Sequence, residues 1–240
     1  MPPMVGPLRH PDKRFSRPPE GLSGMLDGMP EVELLVSAPE GRAELREGKL
    51  AVENAEARVA VPLSAVQRDA LRPRRPSDAP SMEVERKLLV RQLPEDLFLA
   101  ELKSARLRQG YLLIGEDASL RIRDKEGRSR LTIKRGRGLE REELEVEIDP
   151  QQAAALWPLA ASRSLEKVRY LVPDGTGWLE LDVYEGHLDG LMTVEREFES
   201  RAEAELWSAP DWVGTEVTGD ARYTNAQLVL AAPPGHHLST

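Results

Sequence analysis

From Met82 onward the chain repeatedly alternates polar and apolar residues with a period of two, and this pattern constrains the fold more than any other feature. Such alternation places successive side chains on opposite faces of a β-strand. Seven segments carry it: residues 83–90, 119–124, 130–135, 141–148, 166–172, 178–184 and 192–198. We therefore predict an α+β fold that is mainly β, with an antiparallel sheet or barrel and a few flanking helices.

Helix signals between these segments are few. Asp149 is a good N-cap ahead of Pro150, which suits the first position of a helix. Ser200 and Glu203 have the spacing of a capping box ahead of a second short helix. A weaker helical pattern covers residues 97–106.

Charges of one sign recur at alternate positions of the strands, where they share one face. The acidic sets are Glu83 with Glu85, Glu143 with Glu145 and Glu147, Glu180 with Asp182, and Glu195 with Glu197. The basic sets are Arg121 with Arg123 and Lys167 with Arg169, while Lys134 shares a face with Thr132. On a single strand such a set is typical of a solvated outer face.

A solvated sheet face usually mixes the two signs, because like charges on neighbouring positions repel each other. Separate acidic and basic strands instead favour a barrel whose interior binds a polyanion together with divalent cations. Arg and Lys would hold phosphate oxygens. Carboxylates are the oxygen ligands that Mg²⁺ and Mn²⁺ prefer.

Composition narrows the chemistry further. The chain has no Cys and four His, so a bound metal would have to be held mainly by carboxylates. Its formal net charge of −8 argues against a nucleic-acid-binding surface. Because the sequence lacks both a long apolar run and a secretory signal pattern, we expect a cytoplasmic protein without a membrane partner.

Residues 1–81 differ in character from the rest of the chain. They hold 12 of the 19 prolines, and a Pro-rich polar run at 72–81 is typical of a linker. Residues 32–36 and 59–63 could form marginal strands. We predict a disordered or weakly folded extension over 1–81, and a disordered tail over 231–240. A chain that starts at Met82 should then keep its fold and activity.

The run EVERK at 83–87 is similar to the ExExK signature of the CYTH superfamily, the triphosphate tunnel metalloenzymes. The order of the later segments strengthens the likeness: RQGYL at 108–112, RIR, TIK ending at Lys134, REELEVEID, EKVRY, VEREF and VTGDARYTNAQL. Together they resemble the short bacterial members of that family. The resemblance implies that residues 82–230 form an eight-stranded antiparallel barrel around a charged tunnel.

The resemblance also implies roles for individual residues. Metal ligands would be Glu83, Glu85, Glu195 and Glu197, with Glu145 and Asp182 in addition. Phosphate-binding residues would be Lys87, Arg121, Arg123, Lys134, Lys167 and Arg169. Tyr111, which follows the RQG turn, would pair with Lys87 and assist proton transfer. The chain departs from the pattern at Ala221, where relatives often carry a basic residue.

The activity implied is hydrolysis of inorganic triphosphate to diphosphate and phosphate with Mg²⁺ or Mn²⁺. Adenylate cyclase, thiamine triphosphatase or nucleoside triphosphatase activity remains an alternative within the same superfamily. A module that binds polyphosphate without catalysis is an alternative of another class. The expected partner is a small triphosphate rather than a nucleic acid, and the protein would be a monomer or a homodimer.

Overall fold

The computed structural model describes residues 32–72, 82–136 and 140–231, and these contain twelve strands and four α-helices. The first four strands are β1 (Val32–Ala38), β2 (Gly41–Arg46), β3 (Lys49–Glu53) and β4 (Arg58–Pro62). The others are β5 (Met82–Leu89), β6 (Ser104–Ile114), β7 (Ala118–Lys125), β8 (Arg128–Arg135), β9 (Glu140–Ile148), β10 (Ser164–Asp174), β11 (Gly177–Tyr184) and β12 (Met192–Phe198).

The helices are short and lie between strands or after the last one. They are α1 (Ala65–Leu71), α2 (Pro150–Leu156), α3 (Arg201–Leu206) and α4 (Asn225–Leu228). Turns of 3₁₀ helix cover Leu99–Glu101, Trp157–Arg163, Gly186–Leu188 and Ala221–Tyr223. No helix in the described part of the chain is long and apolar enough to cross a membrane.

Strands β5 to β12 close into an antiparallel barrel in the order β10-β11-β12-β5-β9-β8-β7-β6. The eight-stranded barrel predicted from the sequence is thus confirmed. Each of the seven alternating segments coincides with one of these strands. The remaining strand, β6, falls where we expected a weak helix over 97–106. That expectation is wrong, because the segment has only a 3₁₀ turn before β6 begins at Ser104.

Both strong helix-start signals act as caps. The Asp149 side chain accepts hydrogen bonds from the backbone of Gln151 and Gln152 at the start of α2. Ser200 accepts from the backbone N–H of Glu203 at the start of α3. The Glu203 carboxylate reaches back to the N–H of Glu199 rather than to that of Ser200, so this capping box is displaced by one residue.

The first four strands form a separate antiparallel sheet in the order β1-β2-β3-β4, which α1 follows. We call residues 32–72 the N-terminal module. The prediction of a disordered or weakly folded extension is wrong for these residues. The expected features at 1–31, 73–81 and 232–240 lie outside the described residues.

The N-terminal module folds because it shares a hydrophobic core with the barrel. Its side chains pack in one cluster with the outer faces of β7, β8 and β9 and with residues that follow β9. From the module come Leu35, Val36, Ala43, Leu45, Leu50, Val52, Val61, Leu63 and Leu71. From the barrel side come Leu112, Leu113, Leu120, Ile122, Leu131, Ile133, Leu144, Val146, Ile148, Ala153, Leu156, Leu159 and Ala160. Forty residues alone could bury little apolar surface, but a preformed barrel face supplies the rest.

Polar contacts fix how the module docks. The Asn54 amide donates to the backbone oxygens of Leu112 and Leu159, at 3.1 and 2.9 Å. Glu40 forms an ion pair of 2.7 Å with Arg163 and accepts from the N–H of Ile114. These bonds satisfy backbone groups of the barrel that would otherwise be buried without partners.

The barrel closes through a short seam between β5 and β9, which pair only from Met82 opposite Glu142 to Val84 opposite Glu140. Beyond the seam, the edge of β5 pairs with the C-terminal segment 214–218. The N–H of Gly214 donates to the oxygen of Leu89, and the N–H of Val217 donates to the oxygen of Lys87, both at 2.8 Å. This segment then leads into the residues that border the mouth of the barrel.

Candidate functional site

The inner face of the barrel carries the charged residues of the alternating strands and surrounds a cavity of about 970 Å³. Every site residue predicted from the sequence lines this cavity except Asp182. The lining ones are Glu83, Glu85, Lys87, Tyr111, Arg121, Arg123, Lys134, Glu145, Lys167, Arg169, Glu195 and Glu197. Asp182 is fully buried, behind Lys167 and Arg169. The alternation thus places acids and bases in one chamber rather than on an outer face.

One group of ion pairs lies around Glu83 at the seam. Its carboxylate accepts from Lys134 at 2.7 Å, and Lys134 also contacts Glu143 at 2.9 Å. Arg141 lies 3.5 Å from Glu83 and is hydrogen-bonded to Glu85. Burial alone would raise the pKa of Glu83, but Lys134 and Arg141 outweigh it and lower the pKa.

A second group joins β5, β10, β11 and β12. Lys87 lies 3.1 Å from Glu195, and Arg169 donates to Glu195 at 2.6 Å. Arg169 and Lys167 both donate to Asp182. Burial opposes ionisation of Glu195, yet Lys87, Lys167 and Arg169 hold its pKa well below the usual range. Burial, with help from Arg169 and Lys87, lowers the pKa of Lys167 to about 8.

The phenol beside Lys87 is that of Tyr184, not that of Tyr111. The Lys87 ammonium lies 3.5 Å from the Tyr184 hydroxyl, which donates to Asn225 at 2.7 Å. Tyr111 lines the same cavity but lies across from Arg121 on β7. The expected Tyr111–Lys87 pair is therefore not formed. Tyr184 is the last residue of β11, the second strand from β5 around the barrel, so this contact spans β12.

Glu145 on β9 is held by three donors. Arg130, Arg123 and Thr132 contact its carboxylate at 2.6, 2.9 and 3.0 Å. Burial would raise its pKa, but Arg123 and these hydrogen bonds lower it. Two guanidinium groups and one hydroxyl thus engage both oxygens of this carboxylate.

Glu197 is the exception among the candidate metal ligands. It forms no hydrogen bond or ion pair with any residue that the structure describes, and its side chain is open to the water of the cavity. Partial burial raises the pKa of Glu197, and the carboxylates of Glu180 and Glu83 raise it further. Clustered carboxylates that disfavour one another's charge are suited to a divalent cation.

Within the described ranges, no three acidic or His side chains stand close enough together to hold a metal ion as they are oriented. The donor chemistry nevertheless fits Mg²⁺ or Mn²⁺, since the available groups are carboxylate oxygens on adjacent strands. Glu85 and Glu197 are directly opposite each other on β5 and β12, and Glu180 is opposite Glu195. Metal binding would require carboxylates to turn away from their Lys and Arg partners.

Sequence reasoning missed several residues that line the chamber, and two, Glu180 and Tyr184, that contact lining residues from behind. Arg141, Glu143 and Glu180 belong to strands that were predicted, and their places in the alternation were a usable signal. Gln109, Tyr184 and Asn225 had no such signal, because their neighbours come from distant parts of the chain. Gln109 is buried, and its amide nitrogen has no partner among the described residues.

Two guanidinium groups of the chamber also have buried nitrogens without partners in the described part of the chain. These are the Nε atoms of Arg121 and Arg141. Together with the Gln109 amide nitrogen they are buried hydrogen-bond donors without an acceptor among the described residues. Leaving such donors unpaired costs free energy, so they favour a ligand rich in acceptor oxygens.

The C-terminal segment borders the cavity with Thr218, Asp220, Tyr223, Thr224 and Asn225. Ala221 lies here too, and Arg222 is held by Asp220 through contacts of 2.5 and 2.9 Å. The positive charge of Arg222 is thus paired with the carboxylate of Asp220, two residues before it. With Ala221 beside it, the segment offers the cavity little positive charge.

The structure thus combines a closed antiparallel barrel with an inner face that carries both bases and carboxylates. The chain belongs to the CYTH domain family, whose sequence model matches residues 81–224.

Two similar proteins are both described as inorganic triphosphatases. An inorganic triphosphatase of Nitrosomonas europaea is 44% identical over 154 residues, which cover 63% of this chain and 99% of the relative. An inorganic triphosphatase of Acetivibrio thermocellus is 35% identical over 150 residues, with 61% and 92% covered. A crystal structure of an inorganic triphosphatase is 40% identical, covers 63% of this chain and 96% of its own, and has a TM-score of 0.48.

Proposed function

We propose that the protein hydrolyses inorganic triphosphate to diphosphate and phosphate with Mg²⁺ or Mn²⁺. The observation that carries the proposal is the chamber lined by acids and bases. Three of its buried donors, the Gln109 amide nitrogen and the Nε atoms of Arg121 and Arg141, have no acceptor among the described residues. Inorganic triphosphate offers acceptor oxygens on every phosphorus and no organic group. The names of the two relatives point to the same substrate.

Six bases would hold the substrate. They are Lys87, Arg121, Arg123, Lys134, Lys167 and Arg169, with Arg141 and Gln109 as additions from the structure. In the ligand-free chain most of these bases are neutralised by carboxylates of the tunnel. Phosphate oxygens would take the place of those carboxylates, and this exchange would release the carboxylates to bind metal.

The candidate metal ligands are Glu83, Glu85, Glu145, Asp182, Glu195 and Glu197. Glu197 is the best placed, because it has no ion-pair partner to lose among the residues that the structure describes. Asp182 is the least suited, since Lys167 and Arg169 enclose it completely. When bound, a divalent cation would polarise phosphate oxygens and lower the pKa of a water molecule.

Lys87 and Tyr111 are the proposed catalytic residues. Burial opposes the charge on Lys87, but Tyr184, Glu195 and Asp182 raise its pKa, so at neutral pH it is a charged donor. It would stabilise charge on a phosphate oxygen during in-line attack rather than remove a proton. Tyr111, opposite Arg121, would orient the substrate or the attacking water.

A nucleotide or thiamine triphosphate would need an apolar platform for its organic group. Among the described residues the aromatic lining consists of Tyr111, Phe198 and Tyr223. This sparse lining favours a substrate without an organic group. The presence of all the proposed metal carboxylates argues against a module that binds polyphosphate without catalysis. We further propose a cytoplasmic protein that is a monomer or a homodimer.

Phosphate release from inorganic triphosphate, ATP and thiamine triphosphate tests the proposal, with Mg²⁺, with Mn²⁺ and with EDTA in excess. We expect kcat/KM for inorganic triphosphate to exceed kcat/KM for ATP and for thiamine triphosphate by at least about a hundredfold, which is the discrimination that a binding site of fitting shape provides. EDTA should abolish release. Equal or better hydrolysis of ATP or thiamine triphosphate would reassign the substrate, and tight triphosphate binding without release would indicate a binding module.

A further inference from the structure

Strand β9 extends beyond the strand that closes the barrel beside it. It pairs with β8 from Glu142 to Ile148, but on its other side β5 reaches only from Glu140 to Glu142. Residues 143–148 therefore have no strand on that side within the described part of the chain. Glu143 and Glu145, which line the tunnel, belong to this one-sided stretch.

Helix α1 of the N-terminal module lies against this stretch of β9. The Gln67 amide donates to the backbone oxygen of Glu147 at 2.9 Å. It thus provides one of the hydrogen bonds that a neighbouring strand would otherwise provide. Three residues further on, Ala70 lines the cavity itself. The family match begins at residue 81, so α1 lies outside the matched part of the chain.

Gln67 is held in place from both sides. Its amide also donates to Gln152 at 3.0 Å, and the buried Gln152 amide reaches the backbone oxygen of Pro62. Its amide oxygen accepts from the N–H of Ser64 and completes the capping box of α1. The contact with β9 is thus built into the module at the end of β4 and at the start of α1.

We propose that Gln67 is a positioning residue, which holds the one-sided stretch of β9 and thereby fixes Glu143 and Glu145 in the tunnel. The assignment of Glu145 to metal binding rests on the proposed function, whereas the restraint on β9 does not. The N-terminal module then contributes to the site as well as to the core.

Two variants of the full-length protein separate this role from simple helix stability. Gln67→Glu keeps an oxygen for the capping box, since Glu is common at this position, but replaces the donor to Glu147 with a carboxylate. Ser64→Ala is the matched control, because it removes the other half of the cap and leaves the Gln67 side chain in contact with β9. Both variants should fold, because the shared core is untouched.

Hydrogen exchange of residues 143–148 and Mn²⁺ binding without substrate are the measurements. In Gln67→Glu we expect about fivefold faster exchange and about fivefold weaker Mn²⁺ binding, as loss of one ordinary hydrogen bond implies. In Ser64→Ala both should match the parent. Equal effects in the two variants, or faster exchange with unchanged Mn²⁺ binding, would overturn the positioning role. A parent protein that binds no Mn²⁺ would refute the proposed function, and exchange alone would then decide the restraint on β9.

Discussion

Glu195 and Glu197 lie two residues apart on the same face of β12, yet their surroundings differ sharply. Glu195 is buried between Lys87 and Arg169, which keep its pKa low. Glu197 has no partner among the described residues, and its pKa is raised by partial burial and by Glu180 and Glu83. The same substitution should therefore have opposite consequences for stability at the two positions.

We expect Glu195→Gln to lower the stability of the metal-free protein by about 3 kcal/mol, because it takes from the buried Lys87 its carboxylate partner, whereas Arg169 keeps Asp182. Glu197→Gln should leave the melting temperature equal to that of the parent or higher. Thermal unfolding in EDTA at pH 7 checks both. Equal losses in the two variants would show that Glu197 has an ionic partner in solution.

The depressed pKa of Lys167 gives the stability a particular dependence on pH. Its pKa is about 8 in the folded protein against an ordinary 10.5, so between these values the unfolded chain binds a proton that the folded protein has lost. The free-energy cost of burying the charged Lys167 ammonium is therefore fully present below pH 8. It falls as the pH rises through that window, so the folded protein becomes more stable.

Comparison of the parent with Lys167→Met in EDTA isolates this effect, since other groups titrate in both proteins. We expect the melting temperature of the parent to rise relative to that of the variant as the pH increases from 7.5 to 10. A difference that stays constant over this range would mean that Lys167 titrates normally.

The charges of the tunnel could be predicted from the sequence, but their partners could not. Alternation fixes the face on which a side chain lies, so Glu83 or Arg121 could be placed without a structure. Which phenol meets Lys87 depends on the stagger between strands. Neither the 3.5 Å approach of Tyr184 nor its bond to Asn225 is encoded in any local pattern.

The eighth barrel strand escaped prediction for a local reason. In β6 the register shifts between Tyr111 and Leu113, and Leu112 and Leu113 are both completely buried. Such a bulge breaks strict alternation, because two consecutive residues oppose a single one on the neighbouring strand. The strands on either side have no such interruption, and the sequence predicted them well.

The fold of the N-terminal module was not predicted, because it depends on packing against the barrel. Its strands are short, and its apolar residues find most of their partners on β6 to β9 and on the helical residues that follow β9. A prediction that considers the segment alone finds too little apolar surface for a core. The expectation that a chain starting at Met82 keeps its fold and activity rests on the same view of the segment.

Removal of residues 1–81 should therefore expose buried leucines and isoleucines of the barrel. We expect the truncated chain to be less soluble and to melt well below the full-length protein. Size-exclusion chromatography and thermal unfolding measure both properties. A truncated chain that stays monodisperse and melts with the parent would contradict the shared core.

Asn54→Ala tests the same docking without a deletion. It removes the two bonds to Leu112 and Leu159 and leaves their buried oxygens without these donors. We expect a loss of about 2 kcal/mol in the free energy of unfolding, with kcat unchanged. Urea denaturation gives the first value and phosphate release the second. Glu53→Ala is the control, since Glu53 is half-buried at the end of β3 and makes only ion pairs of 3.8 Å, so it should change stability by less than about 0.5 kcal/mol.

The described part of the chain is built around a barrel whose inner face pairs its bases with its own carboxylates. Sequence alternation predicted that inner face, and closure of the barrel turned it into a chamber of about 970 Å³. The seam between β5 and β9 is flanked by the C-terminal segment on one side and by α1 on the other. Both ends of the described chain thus contribute to the surroundings of the site.

Turnover of inorganic triphosphate with Mg²⁺ by the parent, Glu197→Gln and Glu199→Gln tests the central claim most directly. Both changes remove one negative charge, but Glu197 lines the chamber and Glu199 follows β12 on the exposed surface. We predict that Glu197→Gln lowers kcat/KM by at least about a hundredfold, as loss of a metal-binding carboxylate implies, while Glu199→Gln matches the parent. Near-parental turnover in Glu197→Gln would contradict the assignment of the chamber as the active site.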